Sequence, residues 1–238
     1  IHEQNSFVGK ANKMLDTKVD LVIGSYIEDK DQFKNPNTFI LGNPQSGKAF
    51  NYKKDDNYLS ELGLDKNKKT VVIFMGSLGS ETITKVMIDF FKLLDGTYQV
   101  IYATGSAYYE DVVSKTEKKD YLVIKERIDG IKAMKASDLL VSRAGATTLC
   151  EITALGMPAI LIPSPYVPNN HQYFNALALV KNDAALMIEE KDLSAISLKE
   201  KIDSIINDVD TLNSLANNAK SMANSTVIED IIEKIEKL

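Results

Sequence analysis

The chain has 238 residues, 44% of them hydrophobic and 26% charged, a composition typical of a globular protein with a real core. Its formal net charge of −5 argues against a dedicated nucleic-acid-binding protein, because such proteins neutralise phosphates with Lys and Arg. The single cysteine, Cys150, excludes an intramolecular disulfide, and no apolar run is long enough to span a bilayer.

Short apolar runs rich in β-branched residues recur along the chain, and helical patterns alternate with them. The runs are 21–23, 38–41, 71–74, 98–102, 121–124, 139–141 and 159–162. Continuous apolar runs, as opposed to alternating ones, indicate strands buried on both faces of a parallel sheet. The helical patterns cover residues 8–15, 82–94, 198–207, 209–223 and 228–238. Alternation of strand and helix predicts an α/β fold.

The punctuation at Gly42-Asn43-Pro44 predicts a domain boundary. We expect residues 1–43 to be the remnant of an N-terminal domain with its linker. Residues 44–225 then form a ligand-binding domain, entered through a polar surface segment at 52–69. The apolar stripe of the last helix has acidic as well as basic residues opposite it, which favours packing over membrane binding. Residues 226–238 are therefore expected to pack back on the first domain.

The decamer 142–151, SRAGATTLCE, follows one strand and opens a helix. Its small residues allow close approach of a ligand, Thr147 and Thr148 can cap the helix, and free N–H groups at the helix start attract phosphate. Glu151, about one turn later, can accept hydrogen bonds from a ribose. The alternative is a capping box between Thr148 and Glu151, and the decamer alone supports both interpretations equally.

Three further turns follow predicted strands. A glycine turn at 75–80 contains Ser77, a turn at 126–134 presents the backbone of Ile128, and a proline-rich loop at 163–176 carries His171 and Gln172. Ligands of open α/β sheets bind at the carboxyl ends of strands. Each turn taken alone also fits a purely structural role, with Asp129 as a helix cap in the second. No CxxC, HExxH or G-x-S-x-G pattern is present, so metal and serine-nucleophile sites are not predicted.

Together these motifs resemble the C-terminal half of bacterial GT-B glycosyltransferases of family 28. The residues that carry the resemblance are the HEQN segment at 2–5, Gly42-Asn43-Pro44, Gly76-Ser77-Leu78-Gly79, the decamer 142–151 and the NHQ segment with Asn175-Ala176. The resemblance implies a Rossmann-like parallel-sheet donor domain plus a remnant of an N-terminal Rossmann-like domain. It also implies inverting transfer of N-acetylglucosamine from UDP-GlcNAc to the muramic acid C4 hydroxyl of lipid I, which forms lipid II for peptidoglycan synthesis.

The resemblance also implies roles for individual residues. Uracil would contact the backbone of Ile128, and Ser77 would line the diphosphate and sugar. The phosphates would lie at Ala146, Thr147 and Thr148, and the ribose at Glu151. His171 and Gln172 would bind the GlcNAc hydroxyls, and Asn5 would reach the donor from the N-terminal side.

No cofactor or metal is implied. The partners would be UDP-GlcNAc, lipid I and the inner membrane surface, with no nucleic acid, at the cytoplasmic face of the cell membrane. The chain departs from the family pattern at Ser46, where an arginine is usual. A cation that could offset the charge of the donor phosphates is then absent, unless Lys48 supplies it. The general base would lie in an N-terminal segment missing from this chain, which would then be inactive alone. The alternatives are a non-catalytic UDP-sugar-binding subunit and a UDP-GlcNAc 2-epimerase-like enzyme.

Overall fold

The computed structural model describes residues 1–76 and 79–238, which form two parallel β-sheets. The first sheet has three strands in chain order, namely β1 (His2–Glu3), β2 (Val22–Gly24) and β3 (Thr38–Ile40). Helix α1 (Lys10–Leu15) connects the first two strands. Val8, Val22 and Phe33 form a small separate core under this sheet.

The second sheet has six strands in the order β6-β5-β4-β7-β8-β9, and all of its neighbours are parallel. The strands are β4 (Thr70–Phe74), β5 (Gln99–Ala103), β6 (Leu122–Lys125), β7 (Leu139–Ser142), β8 (Ala159–Leu161) and β9 (Leu186–Met187). Strand β4 pairs with β5 on one side and β7 on the other, so the strand order reverses there. Such a switch point opens a crevice at the carboxyl ends of the strands.

Helices cover both faces of the larger sheet. They are α2 (Ser46–Asn51), α3 (Tyr58–Glu61), α4 (Glu81–Leu93), α5 (Tyr109–Lys115), α6 (Gly130–Lys135), α7 (Ala146–Leu155), α8 (His171–Val180), α9 (Ala195–Ile206), α10 (Val209–Ser221) and α11 (Val227–Glu236). One core cluster joins α4 and α9 to one face of the sheet, and the other joins α7, α8 and α10 to the opposite face. No helix among the described residues is sufficiently long and apolar to cross a membrane.

The predicted α/β fold is confirmed, and all seven predicted strands are present within one residue at each end. Strands β1 and β9 were not predicted. Each has only two residues; β1 lies in the polar HEQN segment, and the apolar run 184–188 that contains β9 was not assigned to a strand. Helix α9 begins at Ala195, three residues before the predicted start, because Ser194 caps it by accepting a hydrogen bond from the Ser197 N–H.

The polar segment 52–69 does not simply cross the surface as expected. Tyr58, Leu59 and Leu64 are buried in the second core cluster, and the backbone N–H of Asp65 donates to Gln99 Oε1 over 3.1 Å. Three apolar anchors are thus enough to hold a segment whose overall composition is polar.

Helix α11 buries only part of its apolar stripe. Val227 is buried, whereas Ile228, Ile232 and Ile235 are between 41% and 54% exposed. The helix nevertheless touches the first sheet, because Lys234 Nζ lies 4.5 Å from the ring centroid of Phe39. The division of the chain at residues 43 and 225 remains a prediction.

Candidate functional site at the carboxyl ends of the strands

The turns that carry the predicted site residues follow β4, β6, β7 and β8. Since these strands are parallel members of one sheet, their carboxyl ends lie along the same edge. The fold therefore brings together at one edge motifs that are separated by up to about 100 residues in the sequence.

The turn after β7 leads into α7 without a side-chain cap. Its N-cap is Gly145, and the first bond of the helix runs from Leu149 N–H to Gly145 O over 3.0 Å. The predicted capping by Thr147 or Thr148 is therefore wrong, as is the capping box with Glu151, because the helix starts one turn too early for it. The N–H groups of residues 146–148 precede the first helical bond, which makes this helix start suited to an anion.

Glu151 lies in the second turn of α7, close to the turn that follows β6. Burial raises the pKa of the Glu151 carboxyl, the negative charge of Asp129 raises it further, and the positive charge of Lys48 opposes both. Asp129 caps α6 by accepting a hydrogen bond from Lys132 N–H over 3.0 Å, as one interpretation of its sequence predicted. Helix α7 packs against α6, whose N-cap is Asp129, and this contact brings Glu151 close to the turn that contains Ile128.

Ile128 lines a cavity of about 250 Å³ together with Phe74, Gly76, Ala103 and Gly130. The walls of this cavity are largely apolar side chains and glycine backbone. A flat aromatic base packs well against such walls, while backbone groups of the turn read its polar edge. A base here and a hydroxyl-binding carboxylate at Glu151 together suit a nucleoside.

The glycine turn after β4 has the backbone that its sequence predicts. Gly76 has φ +83° and Gly79 has φ +73°, both in the region that favours glycine. A Cβ at Gly79 would lie 2.2 Å from Thr104 O, so only glycine fits there. The predicted ligand-binding residue Ser77 lies outside the described residues.

A second cavity, of about 460 Å³, adjoins the first at Gly76. It is also lined by Ser80, Arg143, Ser164 and Gln172. The side-chain oxygen of Gln172 accepts a hydrogen bond from Ser164 N–H over 2.9 Å, which fixes the amide and leaves its NH₂ group as a donor. Amide and hydroxyl groups around an open cavity suit recognition of sugar hydroxyls.

His171 does not line the same cavity as Gln172. It faces a cavity of about 340 Å³ with Asn5, Lys10 and Asn169, and its Nδ1 lies 2.9 Å from Pro168 O. Asn169 and Asn170 have φ values of +55° and +51°. This left-handed backbone turns the chain sharply before α8. His171 and Gln172 are the first two residues of α8, and because a helix has about 3.6 residues per turn, consecutive side chains project in different directions and line different cavities.

Asn5 is held from two sides. Its Nδ2 donates to Glu3 Oε1 over 3.2 Å, and its Oδ1 accepts from Asn175 Nδ2 over 3.1 Å. The predicted contact between Asn5 and a donor molecule would have to be made in competition with these bonds.

Ser46, which stands where the family usually has an arginine, is buried and donates to Asn43 O over 2.8 Å. It therefore belongs to the packing of the connection between the sheets. Lys48 lies two residues later on α2, which packs against α7, and its charge acts on Glu151. Lys48 is thus the cation that α2 brings to this edge.

The sequence analysis assigned no role to three buried polar residues, Asn175, Arg143 and Glu190. The side chains of Arg143 and Glu190 are 10% and 5% exposed, and Asn175 is fully buried. Asn175 and Arg143 stand inside predicted motifs, a signal that could have been followed. Nothing near Glu190 in the sequence marks it. Among the described residues, no group of three or more His, Cys, Asp or Glu is arranged to hold a metal ion.

Comparison with known proteins matches residues 70–234 to the glycosyltransferase family 28 C-terminal domain. All of the chain aligns, at 39% identity and over 67% of the relative, with the UDP-N-acetylglucosamine--N-acetylmuramyl-(pentapeptide) pyrophosphoryl-undecaprenol N-acetylglucosamine transferase of Bacillus subtilis. The protein of the same name from Caldanaerobacter subterraneus is 37% identical with the same coverage. The chain thus spans about two thirds of the length of these relatives.

Solved structures share the fold. The crystal structure of Acinetobacter baumannii MurG superposes with a TM-score of 0.80 at 22% identity, covering 100% of this chain and 66% of that one. A putative UDP-N-acetylglucosamine 2-epimerase from Listeria monocytogenes gives a TM-score of 0.71 at 15% identity, covering 97% of this chain and 62% of that one. These likenesses support the predicted GT-B type of fold.

Proposed function

Because the chain belongs to glycosyltransferase family 28, we propose that it supplies the donor-binding part of a lipid II-forming N-acetylglucosaminyltransferase. The donor would be UDP-GlcNAc and the acceptor lipid I. The observation that carries this proposal is the packing of α7 against α6, which brings Glu151 in the second turn of α7 close to the Ile128 turn. The first N–H groups of the same helix have no side-chain cap.

In the proposed complex, uracil occupies the cavity at Ile128 and the ribose hydroxyls donate to Glu151. The diphosphate lies against the backbone of residues 146–148 and, on the glycine-turn side, near Ser77. The GlcNAc group extends into the cavity lined by Gln172. His171 and Asn5 stand at the adjoining cavity, on the side from which an acceptor would come.

The proposed reaction is an inverting displacement. The C4 hydroxyl of the muramic acid attacks the anomeric carbon of GlcNAc, a general base takes the hydroxyl proton, and the bond to UDP breaks. Negative charge then grows on the leaving diphosphate. The N–H groups at the start of α7 would stabilise that charge, since preorganised donors aimed at developing charge lower the barrier.

The lipid acceptor places the proposed reaction at the cytoplasmic face of the cell membrane, where the enzyme would act as a peripheral protein in cell wall synthesis. A UDP-GlcNAc 2-epimerase is less well supported, because the epimerase likeness is one of fold at 15% identity. A UDP-sugar-binding subunit without activity of its own would use the same donor site.

Calorimetry with UDP, UDP-GlcNAc and GDP-mannose tests donor binding by the 238-residue chain. We expect the two uridine ligands to bind and GDP-mannose to bind at least tenfold more weakly. Equal binding of all three, or no binding, would contradict the proposed uridine site. Gln172→Ala should weaken UDP-GlcNAc while leaving UDP almost unchanged, since Gln172 lines the proposed sugar cavity and its NH₂ group can donate to a hydroxyl.

Transfer is tested with labelled UDP-GlcNAc and a lipid I analogue. The assay compares the 238-residue chain with a version extended at its N-terminus by the remaining third of the Bacillus subtilis relative. Turnover only by the extended version would assign the general base to the added segment. Turnover by both would direct attention to His171 and His2.

A further inference from the structure

A buried ion pair lies beneath the cavity assigned to the sugar. Arg143 Nη2 and Glu190 Oε2 are 2.5 Å apart, and the two side chains are only 10% and 5% exposed. Neither carboxylate oxygen of Glu190 has a hydrogen-bond donor of good geometry among the described residues. Within the part of the chain that the structure describes, Arg143 is the cation that lies within salt-bridge distance of Glu190.

The same guanidinium reaches both walls of the cavity. Its Nη2 donates to Ser80 Oγ over 3.0 Å, and its Nη1 donates to Ile162 O over 3.1 Å. Ser80 is the N-cap residue of α4 and ends the glycine turn. Ile162 ends the β8 region two residues before Ser164. One planar group thus connects the glycine-turn wall with the wall that holds Gln172.

The pair bears no direct relation to the nucleoside part of the site. Its hydrogen-bond and ionic partners lie at Ser80, Ile162 and Glu190, whereas the proposed uridine site is built from the Ile128 turn and Glu151. Since Glu190 neutralises Arg143, the guanidinium contributes little net charge toward a diphosphate. Its bonds fix geometry.

We propose that Arg143 and Glu190 form a positioning pair that sets the separation of the two cavity walls and so determines preference for the sugar of the nucleotide donor. This inference rests on the proposed donor function. Arginine suits the task because its fork donates in several fixed directions at once, which an ammonium group on a flexible stem does not. Glu190 balances the buried charge of the guanidinium at short range.

The experiment measures the Kd values of UDP and UDP-GlcNAc, together with the melting temperature, for four variants. Arg143→Lys keeps the charge and loses the fork. Arg143→Met and Glu190→Gln each leave one buried group without its partner. The double variant Arg143→Met with Glu190→Leu removes both charges, and replacing a buried pair by apolar residues often restores stability.

We expect the ratio of the UDP-GlcNAc affinity to the UDP affinity to fall at least tenfold in all four variants. The melting temperature should fall in Arg143→Met and Glu190→Gln, and it should recover in the double variant. If the double variant regains its melting temperature but not the affinity ratio, the pair acts by positioning the cavity walls and not merely by stabilising the fold. Lys69→Met is the control. Lys69 and Asp138 form an ion pair at 2.8 Å just before β4 and β7, at the amino ends of these strands and away from the site, so this change should leave the ratio unchanged.

Equal losses of UDP and UDP-GlcNAc affinity in Arg143→Lys, or a wild-type ratio in the double variant, would overturn the proposal. Failure of the proposed donor function looks different, because it is seen in the wild-type chain as failure to bind uridine ligands in preference to GDP-mannose. A wild-type chain that binds UDP as tightly as UDP-GlcNAc would refute the sugar assignment alone.

Discussion

The Asn175 side chain joins the two sheets by donating from Nδ2 to Asn5 Oδ1 over 3.1 Å, across 170 positions of the sequence. Its Oδ1 accepts from Ser6 N–H over 2.8 Å, and its Nδ2 also donates to Ala144 O over 3.2 Å. Asn175 is fully buried. A single amide thus ties the HEQN segment to both the loop before α7 and the start of α8.

Replacing Asn175 by alanine should destabilise the fold by roughly 3 kcal/mol. The change leaves the Ser6 N–H and the Ala144 carbonyl buried without partners, and each such group costs about 1–3 kcal/mol. Urea denaturation measures the free energy of unfolding. Asn51→Ala is the control, because Asn51 makes a similar amide bond to Gly47 O at an exposed position. Equal losses in the two variants would contradict the importance of burial at Asn175.

Replacing Glu151 by alanine should weaken UDP binding while leaving stability nearly unchanged. The structure contains no capping box for Glu151 to complete, and its carboxyl is already disfavoured as a charge by burial. Loss of a hydrogen bond to a charged acceptor should cost about 1.5–3 kcal/mol of binding free energy. Calorimetry with UDP and thermal melting measure the two effects. Glu200→Ala on the exposed face of α9 is the control and should change neither. A lower melting temperature with unchanged UDP affinity would show that Glu151 is structural.

Alanine at the two glycines of the turn after β4 should affect different properties. Gly79→Ala should cause the larger loss of stability, and Gly76→Ala the larger loss of UDP-GlcNAc affinity. Both have positive φ, so each change costs about 1–2 kcal/mol of backbone strain. Gly79→Ala also brings its Cβ to 2.2 Å from the Thr104 carbonyl, whereas no described atom lies within 4 Å at Gly76. We expect Gly79→Ala to lose roughly 1–3 kcal/mol more stability than Gly76→Ala.

Gly76 lines both the base cavity and the sugar cavity. Gly76→Ala should therefore produce the larger loss of UDP-GlcNAc affinity, as measured by calorimetry in parallel with melting. The same rank order for stability and for affinity would show that the turn acts on the ligand only through the fold.

The stability of the chain should fall as the pH rises from about 4 to about 7 because of Asp29. Burial, with smaller contributions from the charges of Glu3 and Glu28, raises the pKa of this carboxyl to about 7, although N–H groups of Tyr26 and Ser25 partly stabilise its charge. In that interval the folded state binds a proton that the unfolded state has released. Stability present below the unfolded pKa is therefore lost as the pH passes through the folded pKa.

Urea denaturation at pH 5 and pH 8 tests this in the wild-type chain and in Asp29→Asn, which cannot ionise. Between these pH values the wild type should lose roughly 2–3 kcal/mol relative to the variant, at about 1.4 kcal/mol for each pKa unit. Asp31→Asn, an exposed carboxyl on the same 3-10 helix, serves as the control. An identical pH dependence in the wild type and Asp29→Asn would exclude a buried neutral Asp29 in the folded state.

The sequence by itself determined five of the six strands of the larger sheet and predicted the sheet edge at which a ligand would bind. Strands β4 to β8 are marked by continuous apolar runs, and the glycine turn and the decamer 142–151 each follow one of them directly. These signals are local, because the hydrophobic period and the turn chemistry depend on residues only a few positions apart. The order of the motifs also identified the family.

Only the tertiary structure decided which side chains meet. The bond between Asn175 and Asn5, the pairing of Arg143 with Glu190 and the approach of Lys48 to Glu151 depend on strand order and helix packing, which no local pattern specifies. That α7 begins at Ala146 after a Gly145 N-cap, and not after a threonine cap, was visible only in the folded backbone. The separation of His171 from Gln172 follows from where α8 begins, since these are its first two residues and adjacent side chains of a helix project in different directions.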